Sequence, residues 1–180
     1  MSQRPPVDPQ RIEEFLRRLG ERFRRPGRIY LVGGTTMVFE GFRQQTLDID
    51  IAFEVAAEDH SAFIRAVRDL KQELWINVEE ASPSDFIPLP EGYRERAPFV
   101  GRYGQLDVFH FDLYSMALSK IGRGTEPDFS DVLALLHSGR IDWETLAACF
   151  AEILPHVGTA SLRQDPEEFQ RKFDALKQML

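Results

Sequence analysis

The sequence predicts an α/β fold of the α+β kind, with a strand-and-helix core over residues 1–111 and a helical extension over residues 112–180 packed on the same domain. Three observations carry that expectation. Short apolar runs at residues 29–32 and 47–54 have strand length and are separated by a glycine pair and a helix-compatible stretch. Two further short runs, residues 99–103 and 106–111, flank Gly104 as a hairpin would. Beyond residue 112 the apolar spacing turns helical. With 180 residues and 43% hydrophobic content, the chain supplies one core, and a second independent domain is not expected.

Residues 9–24 follow a Pro-rich start and set Ile12, Phe15, Leu16, Leu19 and Phe23 on one face of an amphipathic helix that closes before Pro26-Gly27. Residues 29–32 make the first strand, which feeds a helix at residues 35–40 across Gly33-Gly34. Residues 47–54 make the second strand, and residues 58–73 a helix that turns Phe63, Ile64, Val67 and Leu70 inward. A third strand at residues 75–79 is stopped by Ser82-Pro83. Residues 86–98 read as a Pro-punctuated connection to the hairpin. Helices are expected at residues 113–121, 129–137, 143–154 and 166–179. Trp75 and Trp143 read as core residues, and Cys149, set among apolar neighbours, as a buried thiol with no second cysteine to pair with.

The chemistry concentrates in LVGGTTMVFEGFRQQTLDIDIAF, residues 31–53. On a strand, Asp48 and Asp50 alternate with Ile49 and Ile51, so both carboxylates share one face and both isoleucines enter the core. Like charges so close repel unless a cation lies between them. Oxygen-only ligands suit Mg²⁺, which takes one or two protein carboxylates and completes its shell with water and substrate phosphates. Gly33 and Gly34 at a helix start would let phosphates approach backbone amides. Asp-x-Asp and Gly-Gly each occur on ordinary strands and turns, and it is their order along the chain that points to phosphoryl or nucleotidyl transfer.

Arg43, Thr46, Asp48 and Asp50, in the form Arg-x-x-Thr-x-Asp-x-Asp after a Gly-Gly strand end, resemble the nucleotidyltransferase superfamily that includes polymerase beta and the CCA-adding enzymes. Within it the chain is most similar to a bacterial branch of small nucleotidyltransferase-like proteins, some related to toxin–antitoxin pairs. The resemblance implies a mixed-sheet core, Mg²⁺ (or Mn²⁺), an NTP substrate and a two-metal in-line displacement. It assigns the metal and catalytic role to Asp48, Asp50 and a third carboxylate on the neighbouring strand, for which Glu79 is the choice and Asp107 the rival. It assigns nucleotide binding to Gly33, Gly34, Thr35 and Arg43. Thr46 is expected to brace the strand. Lys120 and Arg123, near a helix end, would counter phosphate charge, with Asp128 and Asp131 close behind them. The same four residues also suit the two ends of a helix dipole. Glutamate at the third position, and Gly-Gly-Thr-Thr where many active members have Gly-Ser, favour the alternative of a non-catalytic nucleotide- or protein-binding module.

Net charge −7 argues against general DNA binding, and the arginines between residues 17 and 28 read as a solvated helix face. The four histidines lack metal-ligand spacing, and none is assigned to catalysis. No Gly-x-Ser-x-Gly elbow, P-loop or dinucleotide fingerprint occurs. No apolar segment has the length of a membrane span, and the expected location is cytoplasmic. The partners expected are an NTP, an acceptor the sequence does not specify, and a cognate antitoxin or other protein.

Overall fold

A computed structural model describes residues 3–159 and 164–180. Local signals start most of the helices. Helix α1 (Pro9–Phe23) opens with proline at its first position and with the Asp8 carboxylate accepting the Arg11 amide at 2.9 Å, which satisfies an end donor that the helix cannot. Strand β1 (Gly27–Leu31) leads into α2 (Gly33–Phe39), and β2 (Asp48–Val55) into α3 (His60–Glu73) and β3 (Asn77–Glu80). A short helix α4 (Tyr93–Arg96) lies in the segment expected to be a plain connection. Then follow β4 (Phe99–Tyr103), β5 (Leu106–His110), α5 (Leu113–Arg123), α6 (Glu126–His137), α7 (Trp143–Ile153) and α8 (Pro166–Lys177). Among the described residues no helix is long and apolar enough to cross a membrane.

The chain divides into two compact units, Met1–Ala81 with Pro98–His110, and Ser82–Ala97 with Phe111–Leu180. The first holds a five-stranded mixed sheet in the order β3-β2-β1-β5-β4. β1 is antiparallel to β2 and parallel to β5, β2 is parallel to β3, and β4 is antiparallel to β5. Ile29, Leu31, Ile49, Ile51, Val78 and Val108 pack with the apolar stripes of α1 and α3 into one core. The approach of α1 to the β4–β5 turn requires Gly20, where a Cβ would lie 2.4 Å from the Tyr103 carbonyl oxygen. The arginines around α1 are tied to neighbours: Arg17 to Glu21, Arg22 to Glu73 and Arg25 to Asp59.

Trp75 departs from expectation. It is 48% exposed, with φ of 54°, in the turn that ends α3, and the third strand begins only at Asn77. The Trp75 amide bonds the Gln72 carbonyl and the Ile76 amide the Lys71 carbonyl, so the backbone closes the helix through a left-handed residue that points away from the core. The Arg4 guanidinium lies over its ring, 5.2 Å from the centroid.

In the second unit nine of the eleven residues of α5 are buried, and an aromatic cluster joins α7 to α8. Phe150 stacks on Phe173 with centroids 3.9 Å apart, and Trp143, half-buried, stacks on Phe173 at 4.9 Å. Cys149 is buried, and burial pushes its thiol pKa up. Asp112 caps α5 and receives a two-pronged Arg96 pair at 2.9 and 3.0 Å.

Candidate active site

The pleat of β2 produces the site. Ile49 and Ile51 are buried, while Asp48 and Asp50 are half-exposed on the other face. Parallel pairing sets Asp48 beside Asn77 and Asp50 beside Glu79, so Glu79 shares the carboxylate face. Asp107 pairs instead with Arg28 on β1 and Arg102 on β4, the latter at 3.6 Å. Arg28 itself pairs with Glu54, four residues along β2 from Asp50.

β1 ends where its successor, the Val32 amide, bonds the Asp50 carbonyl at 3.0 Å, and the next residue begins α2. Gly33 takes φ of 58°, and a Cβ there would stand 3.7 Å from Asp50 Oδ2. At Gly34 a Cβ would stand 2.9 Å from Thr46 Oγ1 and 3.7 Å from Arg43 Nη1, too tight for a side chain. The glycine pair therefore lets the start of α2 lie against the carboxylate, the arginine and the threonine at once. Val32, as N-cap, offers no side-chain cap to the first amides of the helix, the group that helices leave to outside partners. Thr46 exchanges backbone hydrogen bonds with Val7 at 2.7 and 2.9 Å, in keeping with a bracing residue.

The two threonines after the glycines work as struts in different directions. Thr35 is fully buried; its hydroxyl accepts the Asp50 amide at 2.8 Å and stands 3.4 Å from the Asp48 carbonyl. Its own amide donates to Val32. The Thr35 hydroxyl thus fixes the backbone on both sides of Ile49, while its amide closes the first turn onto Val32. Thr36 donates to the Leu31 carbonyl at 2.9 Å and lies 3.0 Å from His110 Nδ1, whose Nε2 stands 2.7 Å from Glu40 Oε1. His110 is thus a buried link from β5 to the middle and the C-cap of α2. The sequence gives no sign of it because Thr36 and Glu40 lie 74 and 70 positions before His110 and share no spacing rule with it.

Lys120 and Arg123 belong to the second unit. Lys120 Nζ, 3% exposed, is 2.7 Å from Asp131 and 3.7 Å from Asp128, and Arg123 bonds Asp128 at 2.5 Å. The four residues grouped in the sequence are brought together there as an ionic cluster.

Residues 10–179 match the family described as "Nucleotidyltransferase of unknown function (DUF6036)". The chain belongs to that family. No curated protein and no solved structure matches it. The family match spans both units, so in this nucleotidyltransferase family the helical half is part of the shared pattern along with the sheet.

The donor set of this family member fits a Mg²⁺ ion held by two carboxylates, Asp48 and Asp50, on an approachable strand face beside a glycine. It is not a closed cage: among the described residues, no three His, Cys, Asp or Glu side chains gather closely enough to hold one ion.

Proposed function

We propose that the protein is a metal-dependent nucleotidyltransferase that moves a nucleoside monophosphate from an NTP to an acceptor hydroxyl and releases pyrophosphate. The observation that supports this most is the placing of Gly33 directly against the Asp50 carboxylate, with Asp48 on the same face. Asp48 and Asp50 hold Mg²⁺ or Mn²⁺, which when bound supplies positive charge to the phosphates and to the developing negative charge of transfer. Thr35 keeps the two carboxylates at fixed spacing through the backbone. The amides of Gly33 and Gly34 take phosphate oxygens, and Arg43, beside Gly34, offsets their charge. Glu79, exposed and in register with Asp50, joins the pair by rotation about its side chain and accepts the acceptor hydroxyl's proton as the new P–O bond forms and pyrophosphate leaves. Its position next to Asp50 favours it over Asp107. Lys120 and Arg123 hold the second unit together through Asp131 and Asp128. The acceptor is an RNA, a protein or a small-molecule hydroxyl, and a cognate antitoxin would be the partner if the protein is a toxin.

A second reading, a nucleotide- or protein-binding module without turnover, is favoured by the lack of a closed three-carboxylate set among the described residues. One experiment separates the two: purified protein is incubated with each alpha-labelled NTP, Mg²⁺ or Mn²⁺, total RNA and protein extract, beside the Asp48→Asn, Asp50→Asn double variant. Label moved to a macromolecule by wild type alone supports the transferase. No transfer by a folded, nucleotide-binding protein supports the binding module.

A further inference from the structure

We infer that the first unit carries a second site, a cleft behind β2 and β3 that binds a small carboxylate with an apolar body. The cleft has a volume of about 380 Å³, at the small end of ligand pockets. Its floor is Ile51, Phe53 and Val78 from the sheet, and its wall is Phe63, Ile64 and Val67 from α3. The cleft exists because the sheet stops there. β3 is the edge strand and has four residues, roughly 13 Å of chain, whereas α3 has fourteen, roughly 21 Å. The helix outruns the strand, and Ile64, Val67 and Phe53 are left half-buried.

Charge marks what such a cleft would take. Arg4, Arg68 and Lys71 border it, together with Glu79 and Glu80 on the strand edge, three cations against two carboxylates in a chain of net −7. Arg68 and Lys71 are three residues apart on α3 and so lie one turn apart on one side of it. Among the described residues neither side chain forms an ion pair, whereas Arg18 and Arg22 are both tied to Glu73 at the end of the same helix. Unpaired cations over an apolar floor suit an anion that can bury its body, and a guanidinium fork suits a planar carboxylate. Ile51 and Val78 are the chain neighbours of Asp50 and Glu79, so the apolar floor faces away from Asp48 and Asp50, and Glu79 on the strand edge borders both.

Titration calorimetry with octanoate and 4-phenylbutyrate tests the assignment, with octanamide as the uncharged counterpart of octanoate. Saturable one-to-one binding of the carboxylates is expected, with octanamide weaker by about tenfold or more, the loss of a charge-assisted hydrogen bond. The surface variant Arg68→Gln with Lys71→Gln should weaken octanoate by a similar factor, and Val67→Trp should abolish binding by filling the cleft. Asp48→Asn with Asp50→Asn should bind octanoate as wild type does, which keeps this site independent of the proposed transfer reaction. Equal binding of octanoate and octanamide, an unchanged affinity in the double glutamine variant, or no saturable binding of either carboxylate would overturn the inference.

Discussion

Two carboxylate pairs in this protein, Asp48 with Asp50 and Asp128 with Asp131, have the same chemistry and opposite fates. The first pair alternates with isoleucines on a strand, so burial of Ile49 and Ile51 forces both acids out onto the opposite face. The second pair is three residues apart on α6, 5% and 4% exposed, and meets Lys120 and Arg123 inside the second unit. A buried carboxylate survives only with a partner, because the interior does not replace the water it gives up. An acid pair on a pleated face stays within reach of solvent. The difference teaches that the element carrying the acids, rather than the presence of cations nearby in sequence, separates a candidate metal site from an internal ionic cluster.

The largest test of this contrast is the Asp48→Asn, Asp50→Asn variant. It should lower nucleotidyl transfer by about a thousandfold or more, since the charge stabilisation at stake is several kcal/mol. Its stability in urea should change by no more than about 1 kcal/mol, because both acids lie on a half-exposed strand face. A larger loss of stability would place this pair with the buried cluster instead.

Lys120→Met should do the reverse and cost about 3–5 kcal/mol in urea unfolding, since a buried ion pair with Asp131 is broken from one side. Lys120→Met with Asp131→Leu should recover most of that loss. If both variants are as stable as wild type while NTP binding falls, Lys120 serves phosphate and not the cluster.

Thr35→Val comes next, at about 1–3 kcal/mol, because the Asp50 amide loses its acceptor inside the protein. Thr35→Ser should restore both stability and any NTP binding lost with the hydroxyl. Recovery of stability without binding would give the methyl group a role in the site.

The smallest effect belongs to Asp142, an exposed cap that sharpens the contrast from the other side. The Thr145 amide, the Tyr114 hydroxyl and the Thr145 hydroxyl hold its pKa below the usual carboxylate value. A folded pKa below the unfolded one means that its contribution is present above the unfolded pKa of about 3.9 and is lost as pH falls through the folded value. Asp142→Asn should therefore flatten the fall in thermal midpoint below about pH 4 and leave nucleotidyl transfer unaltered.

Much of the first unit was legible because its rules are local. The stripe of α1, the alternation of β2 and the glycine pair each follow from periodicity or backbone freedom within a few residues. Trp75 misled because a hydrophobic ring two positions before a strand was counted as part of it, while the helix needed one left-handed residue to end. The strut made by Thr35 was not legible because a hydroxyl beside a glycine pair gives no sign of which strand it will bond, and that follows from its burial against β2. His110 could not be found at all, since its partners Thr36 and Glu40 meet it only after β5 pairs with β1.

By itself the sequence determined which strand carries the paired acids, which residues turn inward, and that the pattern is nucleotidyltransferase-like, because period-two alternation and glycine's freedom act between neighbours. Only the tertiary structure decided that Glu79 rather than Asp107 stands beside Asp50, that Thr35 and Thr36 brace the strands, and that Lys120 is paired within the second unit. Those outcomes depend on strand order and on burial, which arise when distant segments displace water from one another.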